Sequence, residues 1–239
     1  MNQILTTEKV YVTPEMKKRK LIYKLEFFLS VFLVCLLFSY YIYAEYDRNK
    51  AEQVSQEMLA QLKYEVDTTV KTPEEDDVIV VILDKEQESQ HQYEPPKVDT
   101  ATYTSTDGVD YTTEAILKIP AINLEYVVLS ETSPDLLFVS LNKYWGPEPN
   151  TIGNYCIVGH YYESGKMFGN LRKLQNGDIA ELTDLSGKTL KYQVIDKYIV
   201  EPTDTSCTSQ RTNGRRELTL ITCTNHGKQR LVVKLREVQ

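Results

Sequence analysis

Hydrophobic and polar positions divide the chain into three stretches. Phe27 to Ala44 reads FFLSVFLVCLLFSYYIYA, an uncharged run whose only small polar members are Ser30 and Ser39. As a helix it rises ~1.5 Å per residue and spans roughly 27 Å, close to the ~30 Å hydrocarbon core of a bilayer. A helix on the surface of a soluble domain shows a polar stripe, and this run has none. A cleavable signal peptide has a shorter apolar region that ends on small residues. Here the run ends on Tyr40, Tyr41, Ile42 and Tyr43, which suit the aromatic belt of a membrane interface. The pattern predicts a retained transmembrane anchor at 27–44.

Beyond the anchor the pattern weakens. Val54, Met58, Leu59 and Leu62 recur at helical spacing and predict one amphipathic helix over 48–66. The acidic run Glu74–Asp77 leads into Val78–Leu83, an apolar run expected to form a strand against the C-terminal part. Residues 84–110 are polar and carry Pro95-Pro96, which suits a solvated tether. Residues 45–110 therefore read as a stalk.

From residue 111 to 239 short β-rich runs alternate with turn signals such as Asn176-Gly177, Ser186-Gly187 and Asn213-Gly214. Strands are predicted at 115–119, 125–129, 155–159, 178–183, 189–200, 217–223 and 230–236, with short helices at 133–141 and 167–174. Many short strands with few helices between them predict an all-β domain, a closed or nearly closed antiparallel barrel. A parallel βαβ arrangement requires longer crossovers than this spacing provides.

Charge adds topology. The chain carries 27 Lys and Arg against 34 Asp and Glu, a formal net charge of −7, which argues against a nucleic-acid partner. The imbalance is local: residues 1–26 carry +3, residues 45–110 carry −11, and residues 111–239 carry +1. Lys17, Lys18, Arg19, Lys20 and Lys24 precede the apolar run, so the positive-inside rule predicts a cytoplasmic tail at 1–26 and everything after Tyr46 outside. Four cysteines are too few for a disulfide scaffold.

The candidate chemistry lies in the last two strands. If they pair symmetrically about the loop 224–229, Cys223 faces Arg230, Ile221 faces Val232 and Thr219 faces Lys234. Leu218, Leu220 and Thr222 then share the core face with Leu231, Val233 and Leu235. An Arg across the strand from a thiol favours the thiolate. The competing possibility is a small buried Cys at a strand end. A nucleophilic thiol also needs a base or imidazolium partner. The chain has three His: His91 in the polar tether, His160 at the end of a strand, and His226 in the hairpin loop. Both His160 and His226 remain possible partners. Cys35 lies in the anchor, Cys207 has no basic neighbour before Arg211, and Cys156 is about 13 Å along its strand from His160. Two alternatives stay open: a structural zinc site from Cys156, His160, Cys223 and His226, and a non-catalytic, membrane-tethered binding module in which Cys223 is inert.

These residues also carry a resemblance. Thr219-Leu220-Ile221-Thr222-Cys223 followed by Arg230 resembles the TLxTC-then-Arg signature of sortases. Asn154 to His160 is similar to that family's histidine segment. Met167-Phe168-Gly169-Asn170-Leu171, Asn176-Gly177-Asp178 and Ile119-Pro120-Ala121-Ile122 resemble flanking family segments. The likeness covers roughly residues 114–236 and implies an eight-stranded sortase barrel on a membrane anchor. It further implies a cysteine transpeptidase that cuts an LPxTG-like C-terminal sorting signal of surface proteins, holds the acyl part as a thioester, and passes it to an amine. That amine belongs to a peptidoglycan precursor or a pilin. The resemblance assigns Cys223 as nucleophile, His160 as general acid and Arg230 as holder of the substrate carbonyl or oxyanion, with Thr222 a weaker oxyanion contributor. It implies no cofactor and no metal, and leaves calcium dependence open. The Met-Phe-Gly segment is similar to class B enzymes, and the compact ending after Cys223 to classes A, D and E. No Asp-Pro-aromatic lid motif precedes His160, so cell-wall anchoring is expected ahead of pilus polymerisation.

Overall fold

The computed structural model describes residues 13–70, 100–105 and 108–238. The chain divides into two compact units, Met1–Asn49 and Lys50–Gln239. Helix α1 (Pro14–Val70) includes the apolar run. Side chains of that run are uncovered by protein, Phe28 at 68% and Leu37 at 69% exposure. An eighteen-residue window of the helix reaches a mean hydropathy of 2.2, so the helix is long and apolar enough to cross a membrane.

The second unit is built on strands β1 (Ala101–Thr104), β2 (Asp110–Ile119), β3 (Leu124–Leu129), β4 (Leu141–Trp145), β5 (Gly153–Val158), β6 (Ile179–Asp184), β7 (Thr189–Val200), β8 (Arg216–Thr224) and β9 (Gln229–Glu237). Neighbours run β2-β3-β4-β5-β8-β9-β7-β6, and β6 pairs back onto β2, closing an eight-stranded barrel. Strand β1 lies outside that ring and pairs only with β2 among the described strands. The interior is filled by alternate residues of every barrel strand, among them Leu117, Leu141, Ile157, Leu182, Tyr192, Leu220 and Val233. Phe168, Leu171 and Leu174, on and just after the 3-10 turn Phe168–Lys173, plug it further.

Three features depart from the sequence reading. First, the barrel is mixed: β3 pairs β4 in parallel, and so does β5 with β8. The β3–β4 crossover needs only the short helix α2 (Pro134–Val139), because just two residue pairs, Val128 with Leu141 and Leu129 with Asn142, join those strands. Second, β4 was not foreseen, because Leu141-Asn142-Lys143-Tyr144-Trp145 has no clean alternation. Third, parts of the stretch read as stalk belong to the folded unit. The outer face of β2 and β3 is apolar at Ile116, Val127 and Leu129, and Val54, Met58, Leu59 and Leu62 of α1 bury against it. Tyr126 and Tyr103 hydroxyls donate to Glu52 and Glu57 of α1, and Ser55 donates to Ser140 at 3.2 Å. The apolar run Val78–Leu83 and His91 lie outside the described residues.

Candidate active site

The β8–β9 hairpin adopts the expected register, with Cys223 opposite Arg230, Ile221 opposite Val232 and Thr219 opposite Lys234. Its core face is the expected one. The other face is also covered. Ile221 and Val232 form a second small cluster with Cys207, which the 3-10 turn Ser206–Thr208 brings over the hairpin. The hairpin is open at its two ends, and Cys223 is half-exposed at the mouth.

Strand β5 delivers the histidine. It runs parallel to β8 in continuous register from Gly153 with Arg216 to Val158 with Ile221. Extending that register by two residues sets His160 level with Cys223, on strands ~4.8 Å apart. The extension is held by two hydrogen bonds: Gly159 N donates to Ile221 O (3.2 Å), and the Thr222 hydroxyl donates to Gly159 O (2.8 Å). Gly159 must be glycine, since a Cβ there would lie 2.5 Å from Leu141 Cδ2 and 2.8 Å from Phe168 Cδ2. Beyond His160 the chain is pinned by Phe168 N donating to His160 O (3.1 Å) and by a bridge between Tyr161 and Met167.

His160 and Cys223 line one cavity of about 520 Å³. Tyr161, Glu163, Arg172, His226 and Leu231 complete most of its wall. His160 packs between Phe138 of α2 (ring centroids 4.8 Å) and Tyr162 (5.6 Å). Its Nε2 is buried with no hydrogen-bond partner. Burial pulls its pKa below the usual histidine value, which favours the neutral imidazole. His226 also reaches the cavity but is exposed, on a turn where Asn225, His226 and Gly227 all have positive φ.

Arg230 does not line the cavity. Its Nη1 donates to the carbonyls of Gly227 (2.8 Å) and Gln229 (3.1 Å), so the guanidinium is folded onto the hairpin turn. Thr222 requires a correction. Its side chain points into the core, 2% exposed, and its hydroxyl proton is already engaged by Gly159 O. It ties the residue before Cys223 to the residue before His160, and its side chain is not available as an oxyanion donor.

The other barrel cysteines are structural. Cys156 is fully buried, and desolvation pushes its thiol up to about 12, against the smaller opposing influences of Lys234 and the Thr219 hydroxyl. Cys207 is buried, and its thiol is likewise raised by desolvation. Asn154 links the surrounding elements: its Nδ2 donates to Cys207 O (2.9 Å), and its Oδ1 accepts from the Thr219 hydroxyl (2.6 Å). Lys234 Nζ donates to that same hydroxyl at 2.8 Å. The four zinc donors considered from sequence do not converge, since Cys156 faces this cluster while the other three line the cavity. Glu163, Arg172 and Phe138 went unnoticed in the sequence, where nothing in their spacing sets them apart.

Fold and cavity together define a thiol enzyme carried on a closed β-barrel. A sortase-domain family model matches residues 117–238, and the chain belongs to the sortase family, the cysteine transpeptidases. Among solved structures, a lid mutant of sortase A from Corynebacterium diphtheriae is 26% identical over 56% of this chain and 74% of its own, with a TM-score of 0.50. A sortase D5 transpeptidase from Clostridium perfringens is 28% identical over 53% and 79%, with a TM-score of 0.49. Sortase C-1 from Actinomyces oris is 30% identical over 52% and 73%, with a TM-score of 0.48. No curated protein matches the chain.

Proposed function

We propose that this sortase cleaves an LPxTG-like C-terminal sorting signal and transfers the acyl part, through a thioester on Cys223, to an amine of the cell wall. One observation carries the reading. The half-exposed thiol shares a cavity rim with His160, while Cys156 and Cys207 are buried with their thiols held protonated. In the first step His160 takes the Cys223 thiol proton as sulfur attacks the scissile carbonyl, and the imidazolium so formed gives that proton to the leaving amine as its C–N bond breaks. In the second an amine attacks the thioester, its proton passes through His160, and Cys223 leaves with the electron pair. Arg230 supports the carbonyl or its oxyanion after exchanging its two turn carbonyls for substrate. The scheme uses no metal or cofactor. The missing Asp-Pro-aromatic motif favours a wall amine over a pilin lysine.

The basic residues Lys17 to Lys24 support a cytoplasmic N-terminus with a single crossing, the barrel outside. External protease on intact protoplasts then releases the barrel; protection of the barrel reverses the topology. For the chemistry, the protein is incubated with a panel of sorting-signal peptides and analysed by mass spectrometry. A covalent adduct on Cys223 supports the reading, and adducts on another cysteine refute it.

A further inference from the structure

Helix α2 buries none of its residues, yet one of them covers the catalytic candidate's imidazole. Its start is fixed by the Ser133 hydroxyl, which accepts from Leu136 N at 3.1 Å, and its end by Ser140 N donating to Leu136 O at 3.2 Å. Leu136 and Val139 of the helix are partly buried against the cluster between α1 and β2–β3, while Phe138 points away from it. Phe138 remains 53% exposed and places its ring 4.8 Å from that of His160, inclined by 39°. An exposed aromatic against a half-buried imidazole with an unpartnered Nε2 is a costly arrangement unless that nitrogen is met later by a substrate group.

We propose that Phe138 is a positioning residue that caps His160 against water and thereby biases the acyl-enzyme toward amines over hydrolysis. This rests on the thioester reading given above. Both outcomes begin with attack on the thioester carbonyl and end with the C–S bond broken and the electron pair on Cys223 Sγ. With an amine, nitrogen forms the new bond, and its proton passes through His160 to sulfur, giving an amide. With water, oxygen forms the bond, a proton follows the same route, and a carboxylic acid results. Water must be oriented by the imidazole to compete, and the ring of Phe138 packs against that imidazole at 4.8 Å between centroids. An amine carried on a larger substrate brings its own apolar body to displace or pack on that ring. The other groups around His160 are Cys223 on β8, Tyr161, Tyr162 and Glu163 in its own loop, Arg172 on the following turn, and His226 in the hairpin. Desolvation is the resolved cause of its lowered pKa, so the covering ring is the feature to remove.

The test uses the full chain in detergent micelles, with ¹³C-labelled histidine for NMR titration and a sorting-signal peptide with and without an added primary amine. In Phe138→Ala the His160 pKa moves up toward the ordinary value, and the ratio of hydrolysed to transferred product rises severalfold. Phe138→Tyr restores both, and Phe138→Leu falls between. An unchanged pKa and ratio in Phe138→Ala overturns the proposal, as does equal damage in all three variants. Turnover that survives His160→Ala overturns the general-acid reading on which the partition depends; a persisting Phe138-dependent pKa shift separates that failure from failure of the cap.

Discussion

The hydrogen bond from Thr222 to Gly159 is the shortest structural route between the two halves of the site, and it can be deleted without changing side-chain shape. Thr222→Val keeps the branched outline and removes the donor. Thr222 is 2% exposed and Gly159 is buried, so the freed carbonyl has no ready access to solvent. Losing a buried donor in this way costs about 1–3 kcal/mol. For a domain of this size each kcal/mol shifts the melting temperature by roughly 2–4 °C, so a fall of roughly 2–12 °C is expected. Activity should suffer more than stability. Gly159 and Thr222 each immediately precede a residue of the proposed site, and loosening their tie displaces imidazole from thiol. A misplacement of about 1 Å costs ~10²-fold in rate. Thr222→Ser, which keeps the hydroxyl, should retain most of both quantities. The assay pairs thermal unfolding by circular dichroism with steady-state cleavage of a fluorogenic sorting-signal peptide. Valine and serine variants that are equally active would refute the tie. So would a valine variant as stable as the parent.

Other expected outcomes follow from the same geometry. Cys223→Ala should abolish turnover, while Cys156→Ala and Cys207→Ser retain most of it at reduced stability, as read by peptide cleavage and urea unfolding. His160→Ala should lose ~10²–10⁴-fold in rate, and His226→Ala far less; the reverse order would move the acid into the hairpin. Arg230→Lys should leave the pH profile of Cys223 alkylation unchanged and cut transpeptidation by ~10²-fold, because a point charge replaces a planar donor fork. Glu114 is 1% exposed and paired with Lys143 at 3.3 Å and with the Tyr155 hydroxyl; burial raises its pKa above the usual carboxylate value despite both partners. A raised folded pKa means that its contribution is complete below the unfolded value near 4.5 and is lost as pH rises through the folded value. Urea midpoints measured across that window should fall with rising pH in the parent and flatten in Glu114→Gln.

Much of the barrel was legible because its strands alternate cleanly. Predicted runs such as 189–200 and 217–223 coincide with β7 and β8 to within a residue or two. The hairpin register was legible because a symmetric loop fixes it. What escaped was decided by contacts between distant residues. The parallel joining of β5 to β8 cannot be read from either strand alone, and it is what brings His160 to Cys223. The burial of Val54 to Leu62 follows from an apolar outer face on β2 and β3 that alternation reads as solvent-facing. The second cluster around Cys207 likewise hid the fact that the hairpin has no wet face. Phe138 escaped because its partner His160 follows β5, whereas α2 belongs to the β3–β4 crossover, and no local pattern joins the two. The position of the Arg230 side chain, folded onto its own turn, follows from local carbonyls that no spacing rule encodes.

The parallel joining has a temporal side. Gly159 and Thr222 are 63 residues apart, and the hairpin β6–β7 and the segment around Cys207 lie between them. Strand β8 finds β5 across all of that chain, a contact of long sequence separation whose loop-closure entropy is met before it is formed. Before that contact forms, Cys223 has only His226 of its own hairpin nearby and lacks His160. The cavity that His160 and Cys223 share therefore exists only once the penultimate strand has docked, so assembly of the candidate site and closure of the barrel are one event.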